Sequence, residues 1–226
     1  MDDRTDAFTR TVNQRRSIRA FLPDPVSDAT LHGLLQSARQ APSGANLQPG
    51  SFVQVRGLAR AQLSAQLVAA FHAGAQEVED YAYFPNPLPS LLRRRQVAAA
   101  RALYGALGIA REDRSARDGQ FERNFRFFDA PVALLVTIDR DFGSGGYMDL
   151  GMSLYGLMLA AQAQGLATCA IGAVASYPGL IRRSLGLDDK HTLVCGMAIG
   201  YADEAAPVNR TLTNRCELDE YFRVIG

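Results

Sequence analysis

Hydrophobic positions recur at helical spacing in the stretch that follows the turn LPDPVSDAT. Ser27 or Asp28 caps this helix, and Pro42 terminates it. The apolar positions stand three or four residues apart, as on one face of an α-helix; they are Leu31, Leu34, Leu35 and Ala38. Comparable stretches predict further helices at residues 6–14, 58–75, 91–107 and 147–164.

Continuous apolar runs predict the strands of a sheet. PVALLVTI, residues 131–138, is the clearest buried strand, and LVCGMAIGY, residues 193–201, is a second strong one. Ser51–Val55 has the character of a first strand. Residues 165–174, GLATCAIGAV, are expected to be the end of a helix that leads into a loop. The strands lie far apart in sequence and helices outnumber them, which predicts one central sheet wrapped by helices.

The helix at residues 147–164 is apolar on nearly every side, so it is expected to lie in the middle of the protein. Gly151 and Gly156 would let another backbone approach closely, and the same helix of a second subunit is one candidate. The glycine-rich stretch before it, DFGSGGYMDLG, lacks both the Gly-Lys-Ser/Thr of a phosphate loop and the third glycine of a dinucleotide fingerprint. It is interpreted as a flexible turn into the helix.

Composition sets the broad class. The 226 residues are expected to form a single domain over residues 1–226, and 47% hydrophobic against 21% charged residues is typical of a folded globular protein. The start, MDDRTDAF, lacks the pattern of a secretory signal, and the longest apolar run, residues 150–161, is shorter than the roughly 20 residues that cross a bilayer. The sequence therefore predicts a cytoplasmic protein with no membrane partner.

Net charge and the spacing of histidine and cysteine argue against two further classes of protein, nucleic-acid-binding proteins and metalloproteins. A net charge of +1 gives no reason to expect a nucleic-acid partner, and the arginines of residues 93–126 are interpreted as a solvated helix face. The three histidines are scattered and the three cysteines have no CxxC spacing, so no metal site is predicted. Cys195, within an apolar run, is predicted to be a core residue.

Four short stretches carry candidate binding chemistry. In the first, RRSIR, guanidinium forks and a hydroxyl suit a phosphate group; its side chains are Arg15, Arg16, Ser17 and Arg19. The alternative is that these arginines only complement the carboxyl end of the first helix.

The other three stretches offer amides, small residues and a late arginine. APSGANLQP, residues 41–49, has amide side chains that suit the edge of a heterocycle. GLATCAIGAV has small side chains that let backbone approach a planar ligand. RTLTNR, residues 210–215, could add a guanidinium to the phosphate site.

In this order, RRSxRxF, APSxxNxQP, GLxTCxIGA and the late threonine-arginine stretch resemble the FMN-dependent nitroreductase superfamily. The resemblance spans residues 15–215. It implies an α+β fold, in which a central mixed or antiparallel sheet is flanked by helices. It also implies an intertwined homodimer with an FMN at each of two interface sites.

The resemblance also implies the roles of single residues. No side chain acts as a catalytic acid or base, and the backbone amide of Gly172 lies near the flavin N5. Asn124 and Arg126 match the family more loosely. The implied FMN-binding residues are Arg15, Arg16, Ser17, Arg19, Pro42, Ser43, Asn46, Gln48, Ala170, Ile171, Gly172, Ala173 and Arg215.

The implied reaction is a ping-pong oxidoreduction. NADH or NADPH delivers a hydride to FMN, and a small electron acceptor, such as a nitroaromatic, a quinone or an activated alkene, then takes the electrons. A flavoenzyme of the same fold that uses oxygen, removes halogens or dehydrogenates its substrate remains an alternative. Two others are an FMN-binding protein without turnover and a structural protein that only pairs.

Two further segments have expected roles at the site and in the dimer. Residues 71–121 form a variable insertion that is expected to build a lid over the flavin. Residues 202–226 are expected to embrace the second subunit. The aromatic residues of the lid are candidates for substrate contact; they are Tyr81, Tyr83, Phe84 and Tyr104.

Overall fold

A four-stranded antiparallel sheet lies at the centre of the fold. The computed structural model describes residues 3–226. The strands follow the order β1–β2–β4–β3 across the sheet. Both faces of the two middle strands are covered, which explains why their sequences are continuous apolar runs and do not alternate. The strands are β1 Ser51–Val55, β2 Val132–Asp139, β3 Ala167–Ile171 and β4 His191–Gly200.

Helices surround this sheet. Short 3₁₀ turns occur at Gly44–Asn46, Arg123–Asp129, Gly172–Ser176 and Pro207–Arg210. The α-helices are α1 Asp3–Gln14, α2 Asp28–Ala38, α3 Gly57–His72, α4 Ser90–Ala106, α5 Arg114–Glu122, α6 Ser144–Ala163, α7 Pro178–Leu185 and α8 Leu218–Tyr221. None of the helices that the structure describes is long and apolar enough to span a bilayer.

Each face of the sheet has its own hydrophobic core. On one face, α3 and α7 pack with the aromatic side chains of Phe125, Phe127 and Phe128, all at most 1% exposed. On the other face, α2 and α6 pack against β2 and β4, and Cys195 is buried there, as predicted. Burial raises the pKa of the Cys195 thiol to about 12, which keeps it protonated and unreactive.

The clearest difference from the sequence prediction is β3. Residues 165–174 were expected to be a helix end and a loop, but Ala167–Ile171 is a strand that pairs with β4 along its length. The stretch was missed because it is only five residues long and its small residues weaken any apolar signal. Helices α5 and α7 are short and were also missed.

Helix α6 packs on the sheet and α2 with one face and is exposed on the other, so within one chain it is not enclosed on every side as predicted. The two glycines singled out in the sequence, Gly151 and Gly156, have different surroundings. A Cβ at Gly156 would lie 4.0 Å from Ala38 Cα of α2, so this approach is made within the chain. Ser153 Oγ donates to the Ala38 carbonyl at 3.1 Å and strengthens the same contact. A Cβ at Gly151 would meet open space. Only Gly151 is therefore free to face a second molecule.

Candidate active site

The RRSIR stretch follows the end of α1 and runs along the free edge of β3. Ser17 and Thr168 form a parallel bridge, and Ile18 N–H donates to the Thr168 carbonyl at 3.0 Å. Because side chains alternate along an extended backbone, Ile18 and Ala20 are buried while Ser17 faces outward. The first motif is thus joined to the strand within the third motif.

One cavity of about 500 Å³ gathers the basic side chains, and we call it the arginine cavity. None of its arginines forms an ion pair with an acidic side chain that the structure describes. Guanidinium groups beside a hydroxyl suit a phosphate. Its polar lining includes Arg15, Arg16, Ser17, Arg19, Thr211, Thr213 and Arg215.

Asn209 connects the carboxyl-terminal stretch to RRSIR and was missed by the sequence reasoning. Its Oδ1 accepts from Arg19 N–H at 2.8 Å, and its Nδ2 donates to the Ala20 and Asp203 carbonyls, each at 2.8 Å. It is 6% exposed. A buried asparagine whose side chain bonds only to backbone groups is a positioning group, and no local spacing marks it in the sequence.

Cys169 on β3 lies beside the arginine cavity. Burial raises the pKa of its thiol to about 11, although the charges of Arg19 and Arg15 and a hydrogen bond with Ser17 act in the opposite direction. The thiol therefore stays protonated at neutral pH and serves as core packing rather than as a nucleophile.

The second motif lies in a different cavity, of about 330 Å³, against α6. Pro42, Ser43 and Gln48 line this cavity, whereas Asn46 is exposed outside its lining. Ser43 Oγ accepts from Gln48 N–H at 3.0 Å, which closes the loop. Within one chain, the loop of the second motif and the arginine cavity therefore lie apart.

Asp149 on α6 holds this loop in place. Its Oδ2 accepts from Gly44 N–H at 3.0 Å, and the residue is 8% exposed. Ala45, Asn46 and Gln48 have positive φ values of 48°, 57° and 52°, which non-glycine residues adopt only when the surroundings enforce them. A lone carboxylate in an otherwise apolar helix is the signal that could have identified Asp149.

Replacing Asp149 by alanine is expected to lower Tm by about 3–12 °C, because the hydrogen bond from Gly44 N–H to this carboxylate, as one to a charged group, contributes about 1.5–3 kcal/mol. Asp149→Asn is the matched control, since its amide oxygen can still accept from Gly44. Thermal denaturation, with hydrogen exchange at Gly44, measures both. Equal damage from the two substitutions would show that the charge, and not the hydrogen bond, holds the loop.

The third motif places open backbone at the end of β3. Ala170 and Gly172 are exposed and Ala173 is half-buried, whereas the Ile171 side chain is 1% exposed in the core. Ile171 can therefore face a ligand only through its backbone. A Cβ at Gly172 would lie 3.7 Å from Tyr83 Cε2 and would meet nothing else within 4 Å. The Gly172 backbone is thus accessible to a planar ligand.

The side chains of the other residues singled out in the sequence contact neighbouring residues and do not line the arginine cavity. Asn124 Nδ2 donates to the Phe121 carbonyl at 2.7 Å, and Arg126 pairs with Asp129 at 2.9 Å. The Arg117 guanidinium lies 4.7 Å from the centre of the Tyr104 ring. Among residues 3–226, no group of three or more potential metal ligands comes together.

Comparisons with known proteins identify relatives of this chain. The model of the nitroreductase family matches residues 12–201. A 4-nitrobenzoate reductase from Pseudomonas putida is 39% identical over 205 residues, which cover 91% of this chain and 89% of the relative.

Two solved structures are similar over nearly their whole length. The FMN-dependent nitroreductase NfnB from Mycobacterium smegmatis, solved in complex with NADPH, has a TM-score of 0.93 at 32% identity and covers 99% of this chain and 100% of its own. The FMN- and NADPH-dependent NfnB from Sphigopyxis sp. strain HMH has a TM-score of 0.92 at 39% identity, with 97% and 99% covered.

Proposed function

The chain belongs to the nitroreductase family, and on this basis we propose that it is an FMN-dependent oxidoreductase. It takes a hydride from NADPH or NADH and reduces nitroaromatic compounds. The observation that carries the proposal is the arginine cavity, which lies beside the strand that leads to the open Gly172 backbone.

The residues present suit FMN. The arginine cavity has the charge and donors for a phosphate, with Arg15, Arg19 and Arg215 as its forks and Ser17 as a hydroxyl donor. β3 then runs from Thr168, beside Ser17, to the exposed backbone at Gly172. A phosphate-bearing flavin could therefore lie along this strand, with its ring system over small residues.

When bound, FMN supplies the redox chemistry, which the side chains of the protein do not provide. The arginines bind the phosphate end, and the Gly172 amide can donate a hydrogen bond to the ring. The lack of a Cβ at Gly172 lets the ring approach the backbone. This division of roles needs no catalytic acid or base from the protein.

The second motif completes the site from a partner subunit in this proposal. The loop with Pro42, Ser43, Asn46 and Gln48 is separated from the arginine cavity in one chain. Ala170, Ile171 and Ala173 contribute backbone beside Gly172, and Arg16 supports the phosphate cavity while its guanidinium donates to the Asn209 carbonyl at 3.3 Å.

The proposed partner is a second copy of this chain. On α6, Met148, Met152 and Tyr155 are 66%, 37% and 42% exposed and recur on one helical face around Gly151. Such an apolar face is typical of a protein interface. Residues 202–226 add the exposed side chains of Tyr221 and Phe222, and we assign this extension to the embrace of the partner.

The purified protein is expected to be yellow, with about one FMN per chain, since FMN binds the folded state. Anaerobic addition of NADPH, and separately of NADH, should bleach the flavin absorbance, and 4-nitrobenzoate should then restore it. Stopped-flow absorbance measures both half-reactions and decides which nicotinamide is preferred.

Other outcomes would contradict the proposal in distinct ways. Protein that binds no FMN after reconstitution would exclude the cofactor. Bound FMN that neither nicotinamide bleaches would indicate a binding protein without turnover. Reduced FMN that oxygen, but no nitroaromatic, reoxidises would indicate a flavoenzyme with another acceptor.

A further inference from the structure

The segment that precedes the aromatic residues of the insertion has no helix or strand, but its carboxylates are all engaged. We call residues 77–80, Glu-Val-Glu-Asp, the acidic segment. Glu77 Oε2 accepts from Gly179 N–H at 2.8 Å, at the start of α7. Glu79 Oε1 accepts from Ser176 Oγ at 2.8 Å, at the end of the turn that begins with Gly172. The segment is thus attached to the element that carries Gly172.

Asp80 is the most buried of these carboxylates, with a side chain only 6% exposed. Its Oδ2 accepts from Leu193 N–H at 2.9 Å and pairs with the Arg182 guanidinium. Its Oδ1 lies 3.5 Å from Arg140 Nη2. A carboxylate held by two guanidinium groups and a backbone amide fixes the chain at this residue, since each partner restricts a different direction.

Tyr81 continues the attachment at an irregularity of β4. The pairing of β2 with β4 shifts between Val136 and Thr137, so Val194 has no residue of β2 opposite it. Tyr81 Oη donates to the Val194 carbonyl at 2.7 Å. Burial raises the pKa of the Tyr81 phenol, so the proton of this hydrogen bond stays in place across the range of ordinary assays.

Two exposed aromatic residues follow Tyr81 along the chain, and the ring of Tyr83 lies beside Gly172. Tyr83 and Phe84 are 60% and 57% exposed, and their ring centroids lie 4.7 Å apart in an edge-on arrangement. Tyr83 Cε2 lies 3.7 Å from the position that a Cβ of Gly172 would take. Exposed rings beside open backbone can stack on a flat ligand.

We propose that Asp80 is a positioning residue for the electron acceptor. Its carboxylate holds the acidic segment on α7 and β4, and this contact fixes the Tyr83 ring beside Gly172. An electron-poor aromatic acceptor then stacks on Tyr83, because the face of an electron-rich phenol attracts a ring that nitro groups have depleted. The proposal rests on the proposed function, since it concerns the same site.

The test uses FMN-loaded enzyme with Asp80→Asn, Tyr83→Ala and the double variant. Calorimetry gives the Kd of 4-nitrobenzoate for the oxidised enzyme, and hydrogen exchange reports residues 81–84. Each single variant is expected to raise Kd and KM about tenfold, as the loss of an aromatic contact does. The KM for ferricyanide, which needs no stacking ring, should rise less than the KM for 4-nitrobenzoate.

The double variant carries the decisive result. If Asp80 acts through Tyr83, the double variant binds 4-nitrobenzoate no more weakly than Tyr83→Ala alone, because residues that act as a unit are not additive. A Kd in the double variant that is raised by the product of the two single effects would overturn the proposal. So would an unchanged Kd in Asp80→Asn. Asp189→Asn is the matched control: this carboxylate lies 3.6 Å from Arg182 Nε but is 94% exposed, and its removal should leave Kd unchanged.

A second variant decides the question if Asp80→Asn does not fold. Tyr81→Phe removes only the hydrogen bond to Val194 and keeps the ring. If Tyr81→Phe raises the Kd of 4-nitrobenzoate in the unmodified enzyme but not in Tyr83→Ala, the result supports the proposal. An unchanged Kd in Tyr81→Phe would overturn it. Failure of the proposed function is seen separately, as the loss of FMN binding or of bleaching by NADPH in the unmodified enzyme.

Discussion

Arg15→Ala/Arg19→Ala is expected to give a folded protein that purifies without FMN. Both guanidinium groups line the arginine cavity and pair with no acidic side chain that the structure describes. Each charged hydrogen bond contributes about 1.5–3 kcal/mol, so the loss of both should raise the Kd for FMN about 10²–10⁴-fold. Fluorescence titration of the apoprotein measures this Kd, and sedimentation reports whether the proposed dimer persists.

The matched control removes the same charge elsewhere. Arg111→Ala/Arg114→Ala deletes two exposed arginines near α5, and it should leave FMN content unchanged. If Arg15→Ala/Arg19→Ala retains FMN, the arginines only complement the carboxyl end of α1, which ends at Gln14. Equal loss in both double variants would point to net charge rather than to the cavity.

A second large effect is expected from Gly172→Val, which should slow flavin reduction by NADPH at least about 100-fold. Gly172 is exposed, and a Cβ there meets only Tyr83 at 3.7 Å, so the fold should accept the side chain. The valine would occupy space that the flavin ring needs. A displacement of about 1 Å in the reacting groups is enough for a 10²-fold loss. Anaerobic stopped-flow absorbance measures the rate.

Two variants identify the cause of that loss. Gly172→Ala should give an intermediate rate, because one methyl group intrudes less. Gly172→Val/Tyr83→Ala should remain slow if the valine displaces the flavin, and should recover if it only pushes Tyr83 aside. A normal rate of reduction in Gly172→Val, with FMN bound, would remove this backbone from the reacting face of the cofactor.

Local patterns were sufficient for the elements with strong periodicity. The strands β1, β2 and β4 and the helices α2 and α6 were predicted from apolar runs and helical spacing, since burial imposes those patterns in any fold. Ser27, one of the two proposed caps, accepts from Thr30 N–H at 3.0 Å. β3 was missed because its five residues are mostly small and give too weak an apolar signal.

Some of the candidate binding residues could likewise be identified from local sequence, whereas others could not. RRSIR suggested a phosphate from side-chain chemistry alone, and its ordered combination with the other motifs indicated the family. Asn209 and Asp149 could not be assigned to the site in this way, because their partners are backbone groups far away in sequence. Asp149 bonds to Gly44, and Asn209 bonds to Arg19. Such contacts leave no spacing pattern.

The sequence by itself determined the long buried runs, the segments that carry charge and the chemistry that their side chains can perform. Only the tertiary structure decided which of them meet. The sheet order β1–β2–β4–β3 leaves one edge of β3 free for RRSIR, and the irregular pairing of β4 provides the backbone group that Tyr81 binds. The physical reason is that periodicity records the burial of one element, whereas the neighbours of that element depend on how all the others pack.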